Sequence, residues 1–269
     1  PGTGDSEPYK MFYDGHQTIY FIAIGEGLGK ELWRTDIENG STILLKDIYP
    51  GPIGSEPYAF SFFNKYLYFS ANDPVHGEEL WKSNGSPEGT MLVKDIYPGL
   101  QSSVPYFTTE FRGYIFFAAE HPLYGRELWK SGGTEASTVL VQDLLQDGSR
   151  NPSSSPQEIT PTSKLLFFTA DDLRHGMELW CTDGTDDGTR LVHDIFPGSP
   201  SADPMELTVV DDLVFFRADD GTHDVELWVS DGTELGTKMV QDISFEGSSA
   251  PRELTPFGNT VIFVAYNPD

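Results

Sequence analysis

Glu79-Leu80-Trp81 is one of five copies of a tripeptide that recurs as Glu31-Leu32-Trp33, Glu127-Leu128-Trp129, Glu178-Leu179-Trp180 and Glu226-Leu227-Trp228, with the tryptophans 48, 48, 51 and 48 residues apart. Repetition at a fixed period of this size marks an array of one supersecondary unit. A residue present in every copy is explained first by folding. Function has to be sought where the copies differ.

The remainder of the unit follows in register. Fourteen residues after each tryptophan stands an aspartate, Asp47, Asp95, Asp143, Asp194 or Asp242, inside a Val-x-Asp-Ile-like run such as Leu92-Val93-Lys94-Asp95-Ile96. Twelve residues before each tryptophan is a phenylalanine, Phe21, Phe69, Phe117, Phe168 or Phe216, with an alanine two further on. Phe-x-Ala has strand periodicity, which puts both side chains on one face. The three-residue excess of the third spacing falls after Asp143, in the connector Gln146 to Ser155.

Four strands per unit are predicted, in the second copy Tyr58 to Phe63, Tyr66 to Ala71, Glu79 to Lys82 and Thr90 to Ile96, each rich in aromatic and β-branched residues. Between the third and fourth strands lie Asp183-Gly184-Thr185 and Asp231-Gly232-Thr233, degraded to Asn84-Gly85-Ser86 and Gly132-Gly133-Thr134. Asp-Gly and Asn-Gly supply the positive φ angles of tight hairpins, so these are turns before they are sites. No ten-residue stretch carries a helical apolar stripe.

Four short antiparallel strands every 48 residues is the arithmetic of a β-propeller blade. A β-solenoid has shorter repeats, and tandem sandwiches need about twice the length per unit. The expected fold is therefore an all-β propeller in one domain over 1–269, with repeats near 8–48, 57–96, 105–145, 156–195 and 204–243 and a half-repeat at 251–269. The front half, a proline followed by two strands, occurs six times, at Pro8, Pro57, Pro105, Pro156, Pro204 and Pro251, whereas the Glu-Leu-Trp back half occurs five times. The opening run Pro1-Gly2-Thr3-Gly4-Asp5-Ser6-Glu7-Pro8-Tyr9 also matches the connector Pro50-Gly51-Pro52-Ile53-Gly54-Ser55-Glu56-Pro57-Tyr58. Six blades are expected, the sixth incomplete or split and needing two outer strands just upstream of Pro1. The alternative is five closed blades with a spare C-terminal hairpin.

Composition sets further bounds. Forty-two acidic against 17 basic residues give a net charge of −25, which argues against nucleic acid or an anionic membrane as partner. It favours a salty or calcium-rich exterior, where cations screen or bind carboxylates, although no EF-hand loop is present. No apolar run approaches the 18 residues of a membrane span, and no signal-peptide pattern opens the chain, as expected of a mature or trimmed form. Cys181 is the one cysteine, lacks a local histidine partner and reads as a structural thiol.

The runs Glu178-Leu179-Trp180-Cys181-Thr182-Asp183-Gly184-Thr185 and Glu226-Leu227-Trp228-Val229-Ser230-Asp231-Gly232-Thr233, with Val-x-Asp-Ile-x-Pro-Gly and Phe-x-Ala, resemble the ELWxxDGT repeat of extracellular and cell-surface proteins, over nearly the whole chain. The first copy departs, with Arg34-Thr35-Asp36-Ile37-Glu38 at the turn, and the third has Gly132 in place of Asp. The resemblance implies a secreted, propeller-like repeat domain and brings no catalytic residues. Ser230-Asp231-Gly232-Thr233 is similar to the Asp-box hairpin of sialidases, which is also a likeness of turns.

If the proline-led strand is innermost, the long connectors and the loops between second and third strands share one face. Those loops read Asp73-Pro74-Val75-His76-Gly77, His121-Pro122-Leu123-Tyr124-Gly125, Asp172-Leu173-Arg174-His175-Gly176 and Asp220-Gly221-Thr222-His223-Asp224. His76, His121, Tyr124, His175 and His223 are candidate ligand-binding residues, and Asp73, Asp172 and Asp220 candidate metal ligands, since carboxylates take Ca2+ or sugar hydroxyls and imidazole takes transition metals. The competing reading is that these residues satisfy their own turns. No Gly-x-Ser-x-Gly elbow, His-Glu-x-x-His helix or phosphate loop is present, and the eight arginines occupy no repeated position, as a sialidase-type cluster would need. The expected function is a binding module for carbohydrate, extracellular protein or a small molecule, with Ca2+ as candidate cofactor. The alternative is an enzyme with an unrecognised funnel site that uses aromatic residues such as Tyr58, Tyr106 or Tyr124 and a histidine.

Overall fold

The computed structural model describes residues 6–145, 152–245 and 247–267, so the opening segment 1–5 and the part of the third connector at 146–151 lie outside the described residues. Five four-stranded antiparallel sheets, each in sequential strand order, are followed by a two-stranded one. Blade 1 comprises Tyr9–Tyr13, Thr18–Gly25, Gly29–Asp36 and Thr42–Leu44. Blade 2 comprises Tyr58–Phe63, Tyr66–Asp73, Gly77–Ser83 and Met91–Lys94, and blade 3 Tyr106–Phe111, Tyr114–His121, Gly125–Ser131 and Val139–Leu140. Blade 4 is Gln157–Pro161, Leu166–Asp171, Met177–Thr182 and Arg190–His193, and blade 5 is Met205–Val210, Leu213–Asp219, Val225–Ser230 and Lys238–Gln241. The last pair, Arg252–Phe257 and Thr260–Val264, is a hairpin in the position of a sixth blade. Relative to expectation, the second and third strands run longer and the fourth shorter, because the residues after Lys94 leave the ladder to start the connector.

The first strands of neighbouring blades from blade 2 to the final hairpin pack against one another, so the proline-led strand is innermost. The final hairpin joins this series. Leu254 N–H donates to Glu206 Oε2 at 3.2 Å, just as Leu207 N–H donates to Glu158 Oε2 at 3.2 Å one blade earlier. Residues 252–257 therefore continue the ring and do not lie outside it.

Strand register explains the repeated residues. Phe69 stands directly opposite Trp81 and Ala71 opposite Glu79, and the same pairs recur in blade 1, blade 3, blade 4 and blade 5. The small alanine leaves room for the carboxylate facing it. In blades 2 to 5 the Phe-Trp face meets the leucine face of the preceding blade: Leu32, Leu45 and Ile48 cover Phe69, Ala71 and Trp81, and Leu179, Val192 and Ile195 cover Phe216, Ala218 and Trp228. Each fully buried large side chain contributes about 1.5–3 kcal/mol through lost water contact. The core therefore lies between blades, as stacked repeats require.

The Asp-Gly-Thr segments open the loops 183–189 and 231–237 that join third and fourth strands, longer connections than the tight turns expected, with the left-handed residue only at the glycine. Asp183 Oδ1 accepts from Thr185 N–H at 2.9 Å and Thr185 Oγ1 at 2.6 Å, and Gly184 takes φ +95° against Phe116 of the preceding blade. Lys130 Nζ donates across to Gly184 O at 2.7 Å, and Lys82 Nζ to Gly133 O at 2.6 Å. Each hairpin thus docks on its neighbour. Cys181 is buried beside the Gly232 carbonyl, and burial pushes its thiol up to about 11, far from a thiolate nucleophile at neutral pH.

Candidate functional site

Each connector is held by the glutamate of the tripeptide. Glu79, fully buried, accepts from Ile96 N–H and Tyr97 N–H at 3.0 Å, Ser103 N–H at 3.2 Å and Ser103 Oγ at 2.5 Å. Glu31 binds Ile48, Tyr49 and Ser55 in the same way, Glu127 binds Ser154, and Glu226 binds Ile243 and Ser249. Burial pushes Glu31 and Glu79 up to about 7, and Glu127 and Glu178 up to about 8, against the donors that favour the ionised form. These carboxylates are latches. Glu178 is the exception: Ala202 stands where the other latches find serine, and its Oε2 has no partner among the described residues.

The loops between second and third strands lie on the connector side, since Gly77 approaches the Gln101 carbonyl and Gly176 the Pro200 carbonyl. Within them the predicted site residues serve one another. Asp73 Oδ1 accepts from Val75 N–H at 2.7 Å and His76 N–H at 2.8 Å, while Asp73 Oδ2 meets His76 Nδ1 at 2.8 Å. Asp172 with His175, and Asp220 with His223, repeat this geometry. The His223 imidazole is raised chiefly by its bond to Asp220, and the Asp172 and Asp220 carboxyls are held below their usual range by backbone and histidine donors that outweigh burial. In blade 3 the device changes. His121 Nδ1 accepts from Leu123 N–H at 3.2 Å, and Tyr124 stacks on the imidazole with ring centroids 4.7 Å apart. Burial lowers the His121 pKa. The loops are not brought together into one cluster: among the described residues no group of three or more His, Cys, Asp or Glu is arranged to hold a metal ion. Asp172 borders a cavity of about 510 Å³ with Asp143, Arg174 and Trp180.

The copies differ most at the connector-side ends of the inner strands. Every inner strand has a left-handed second residue, Lys10, Ala59, Phe107, Glu158, Glu206 or Glu253, at φ between 50° and 59°. The Cβ of an L-residue crowds the following carbonyl oxygen in that conformation, so its sixfold recurrence marks a built feature. A register break accompanies it in each blade, between the first residue of the strand and the rest of its ladder. Those first residues are Tyr9, Tyr58 and Tyr106 in blades 1 to 3, then Gln157, Met205 and Arg252.

The first three are tyrosines, and hydrogen bonds to carboxylates fix the hydroxyls of Tyr9 and Tyr58. Tyr9 Oη donates to Glu56 Oε2 at 3.3 Å, and Lys30, paired with Glu56 at 3.2 Å, lies 5.5 Å from the centre of the Tyr9 ring. Tyr58 Oη donates to Glu78 Oε1, which also accepts from Ser70 Oγ at 3.0 Å, and burial with that carboxylate raises the Tyr58 phenol far above its ordinary range. The Tyr58 and Tyr106 rings are 6.0 Å apart and inclined by 46°, and Tyr106 is 46% exposed. The opposite side of the mouth is aliphatic and charged. Arg217 Nη2 approaches Met205 Sδ at 3.2 Å beside a cavity of about 250 Å³ bordered by Asp203, Asp219, Ser201 and Ser248.

Sequence reasoning named Tyr58 and Tyr106 but missed Glu78 and Arg217. The signal was present as variation: Lys30, Glu78, Arg126, Met177 and Val225 precede the tripeptide glutamate, and Ile22, Ser70, Ala118, Thr169 and Arg217 fill the middle of Phe-x-Ala.

No family model matches the chain, and no curated protein matches it. Solved structures do. One from a structural and mechanistic study of two prolyl endopeptidases aligns over 98% of this chain and 39% of its own, with TM-score 0.58 and 12% identity. Oligopeptidase B from Leishmania major aligns over 88% of this chain and 34% of its own, with TM-score 0.52 and 10% identity. The β-propeller domain of the trilobed protease from Pyrococcus furiosus aligns over 87% of this chain and 70% of its own, with TM-score 0.47 and 11% identity. The chain thus spans well under half of the first two proteins. At these identities the likeness is one of fold, and the chain is a β-propeller.

Proposed function

We propose that this propeller is a secreted binding module whose connector-side mouth takes carbohydrate. The observation that carries this reading is the tilted Tyr58–Tyr106 pair, 6.0 Å apart, with the Tyr58 hydroxyl already tied to Glu78. Flat apolar faces with fixed polar groups at their edges suit the C–H face and hydroxyl rim of a pyranose ring. The Glu78 and Glu56 carboxylates offer acceptors at that rim. The peptidase neighbours lend the fold and nothing of their chemistry.

A glycan array followed by calorimetry on the best binder tests the reading. Tyr106→Ala should weaken binding about tenfold or more, while His76→Ala, in a loop that caps itself, should leave it within about twofold. Equal binding by both variants, or no binding to any glycan, would remove the mouth from consideration. Turnover of a bound glycan would move the protein into the enzyme class.

We extend the proposal to calcium as a counter-ion for the net charge of −25. The thermal midpoint should rise between EDTA and millimolar Ca2+. An unchanged midpoint removes calcium from the reading, and a rise lost in Asp220→Asn would assign the ion to the loop.

A further inference from the structure

Three observations converge on one gap in the ring. The strand Thr260–Val264 pairs with Arg252–Phe257 on one side and, among the described residues, has no sheet partner on the other. Its Ile262 is 53% exposed, whereas the corresponding Tyr68, Phe116 and Phe167 are 2%, 1% and 0% exposed. An unpaired edge with exposed apolar residues is a surface for strand addition.

The second observation lies on blade 1. Phe21 and Trp33 form the same cross-strand pair as Phe69 and Trp81, yet both are half-buried while every other copy is buried. In the other interfaces this face is covered by the leucine strand of the preceding blade. Among the described residues no such strand covers it here.

The third is Ser6. Its carbonyl accepts from Ile24 N–H at 2.9 Å, as Ser55, Ser103, Ser154 and Ser249 accept from Asn72, Glu120, Asp171 and Tyr266. Ser6 therefore occupies the latch position. The four other serines are at most 1% exposed and held by a buried glutamate, whereas Ser6 is exposed and, among the described residues, no buried glutamate reaches it.

We propose that the gap between Thr260–Val264 and the Phe21–Trp33 face receives a two-stranded hairpin of the repeat's own back-half type, entering through the connector that ends at Ser6. Its leucine covers Phe21 and Trp33, its glutamate latches Ser6, and its inner edge pairs with Thr260–Val264. The occupant is specified by continuity, because every complete interface of the ring uses that same hairpin.

Residues 77–97 fused directly ahead of Pro1 test this, since the added Glu79 then stands 24 residues before Ser6, the spacing of Glu31 to Ser55 and Glu79 to Ser103. Amide exchange at residues 260–264 should slow by about tenfold or more relative to the unfused chain. The gain should vanish when the added copy carries Glu79→Ala and Leu80→Asp, a variant that leaves all 269 original residues intact. A fusion that is soluble where the unfused chain aggregates also supports the proposal. Unchanged exchange at 260–264 in a folded fusion would overturn it. So would protection in the unfused chain that rises with its concentration, which would give the edge to a second copy.

Discussion

Phe168 and Phe21 hold the same place in the repeat, paired across strands with Trp180 and Trp33, but Phe168 is fully buried under blade 3 and Phe21 is half-buried at the seam. The covalent neighbours are nearly alike; what differs is whether a preceding blade covers the face. A blade of this ring does not own its core, and stability resides in the contacts between units. Phe168→Ala should therefore cost about 3–5 kcal/mol, the range for emptying a closed aromatic site, and Phe21→Ala only about 1 kcal/mol. Urea unfolding of the two variants makes the comparison direct. Equal losses would mean that the seam is as well packed in solution as the sealed interfaces.

The latch serines repeat the contrast at smaller scale. Ser103→Ala withdraws one hydroxyl from the buried Glu79 carboxylate, at a cost of about 1–3 kcal/mol for an under-satisfied buried acceptor. Ser6→Ala touches no latch and should change stability by less than about 0.5 kcal/mol. Completing the ring with an added hairpin should raise the second cost toward the first.

Proton linkage separates the buried latches from the exposed Asp-Gly-Thr loops. Glu79 titrates near 7 in the folded chain against an ordinary value of 4.5, and Glu127 near 8, because burial disfavours their charge. Between those values the native state holds more protons than the unfolded one, so stability falls as pH rises through about 7 to 8 and is regained in mild acid. The Asp183 and Asp231 carboxyls, held low by Thr185 and Thr233, act oppositely and lose their contribution only as pH drops below their ordinary 3.8. The thermal midpoint should thus increase from pH 8.5 to pH 5. Glu79→Gln should flatten that slope. A midpoint that climbs steadily toward pH 8.5 would contradict the assignment of the latches.

The fold was legible because its signal is redundant. Phe-x-Ala and Glu-x-Trp each mark a period-2 strand, and their pairing follows once both are seen to point one way. The count of six proline-led halves against five tripeptides agrees with five four-stranded sheets and one two-stranded sheet among the described residues. The role of the tripeptide glutamate was legible only in outline. Its partners Ile96, Tyr97 and Ser103 lie 17, 18 and 24 residues away, where no local periodicity operates. The loop residues Asp73 and His76 were visible as chemistry, but their mutual bond, which occupies them, is a matter of three-dimensional turn geometry. Glu78 and Arg217 were hidden for the opposite reason, since a residue that differs in every copy leaves no pattern to read.

Blade 4 stands between the sealed interfaces and the seam. Its glutamate, Glu178, meets Ala202 where a serine should be, and at the seam Ser6 is a serine that, among the described residues, no buried glutamate reaches. The two defects are halves of one latch. Adding the missing hydroxyl tests whether the latch works as a pair: Ala202→Ser should give Glu178 Oε2 a donor, worth about 0.5–1.5 kcal/mol for a net buried hydrogen bond. Ala202 is 1% exposed, so the extra oxygen must fit a tight space, and overpacking would appear as a loss instead. The position is favourable because Ser55, Ser103 and Ser154 carry that oxygen in the same backbone setting with no more than 1% exposure. The gain should be larger at pH 8.5 than at pH 5, since a hydroxyl donor favours the ionised carboxylate and lowers the pKa that burial has raised to about 8. A gain independent of pH would mean that the serine improves packing without engaging the carboxylate, and the latch would then owe its stability to the backbone amides alone.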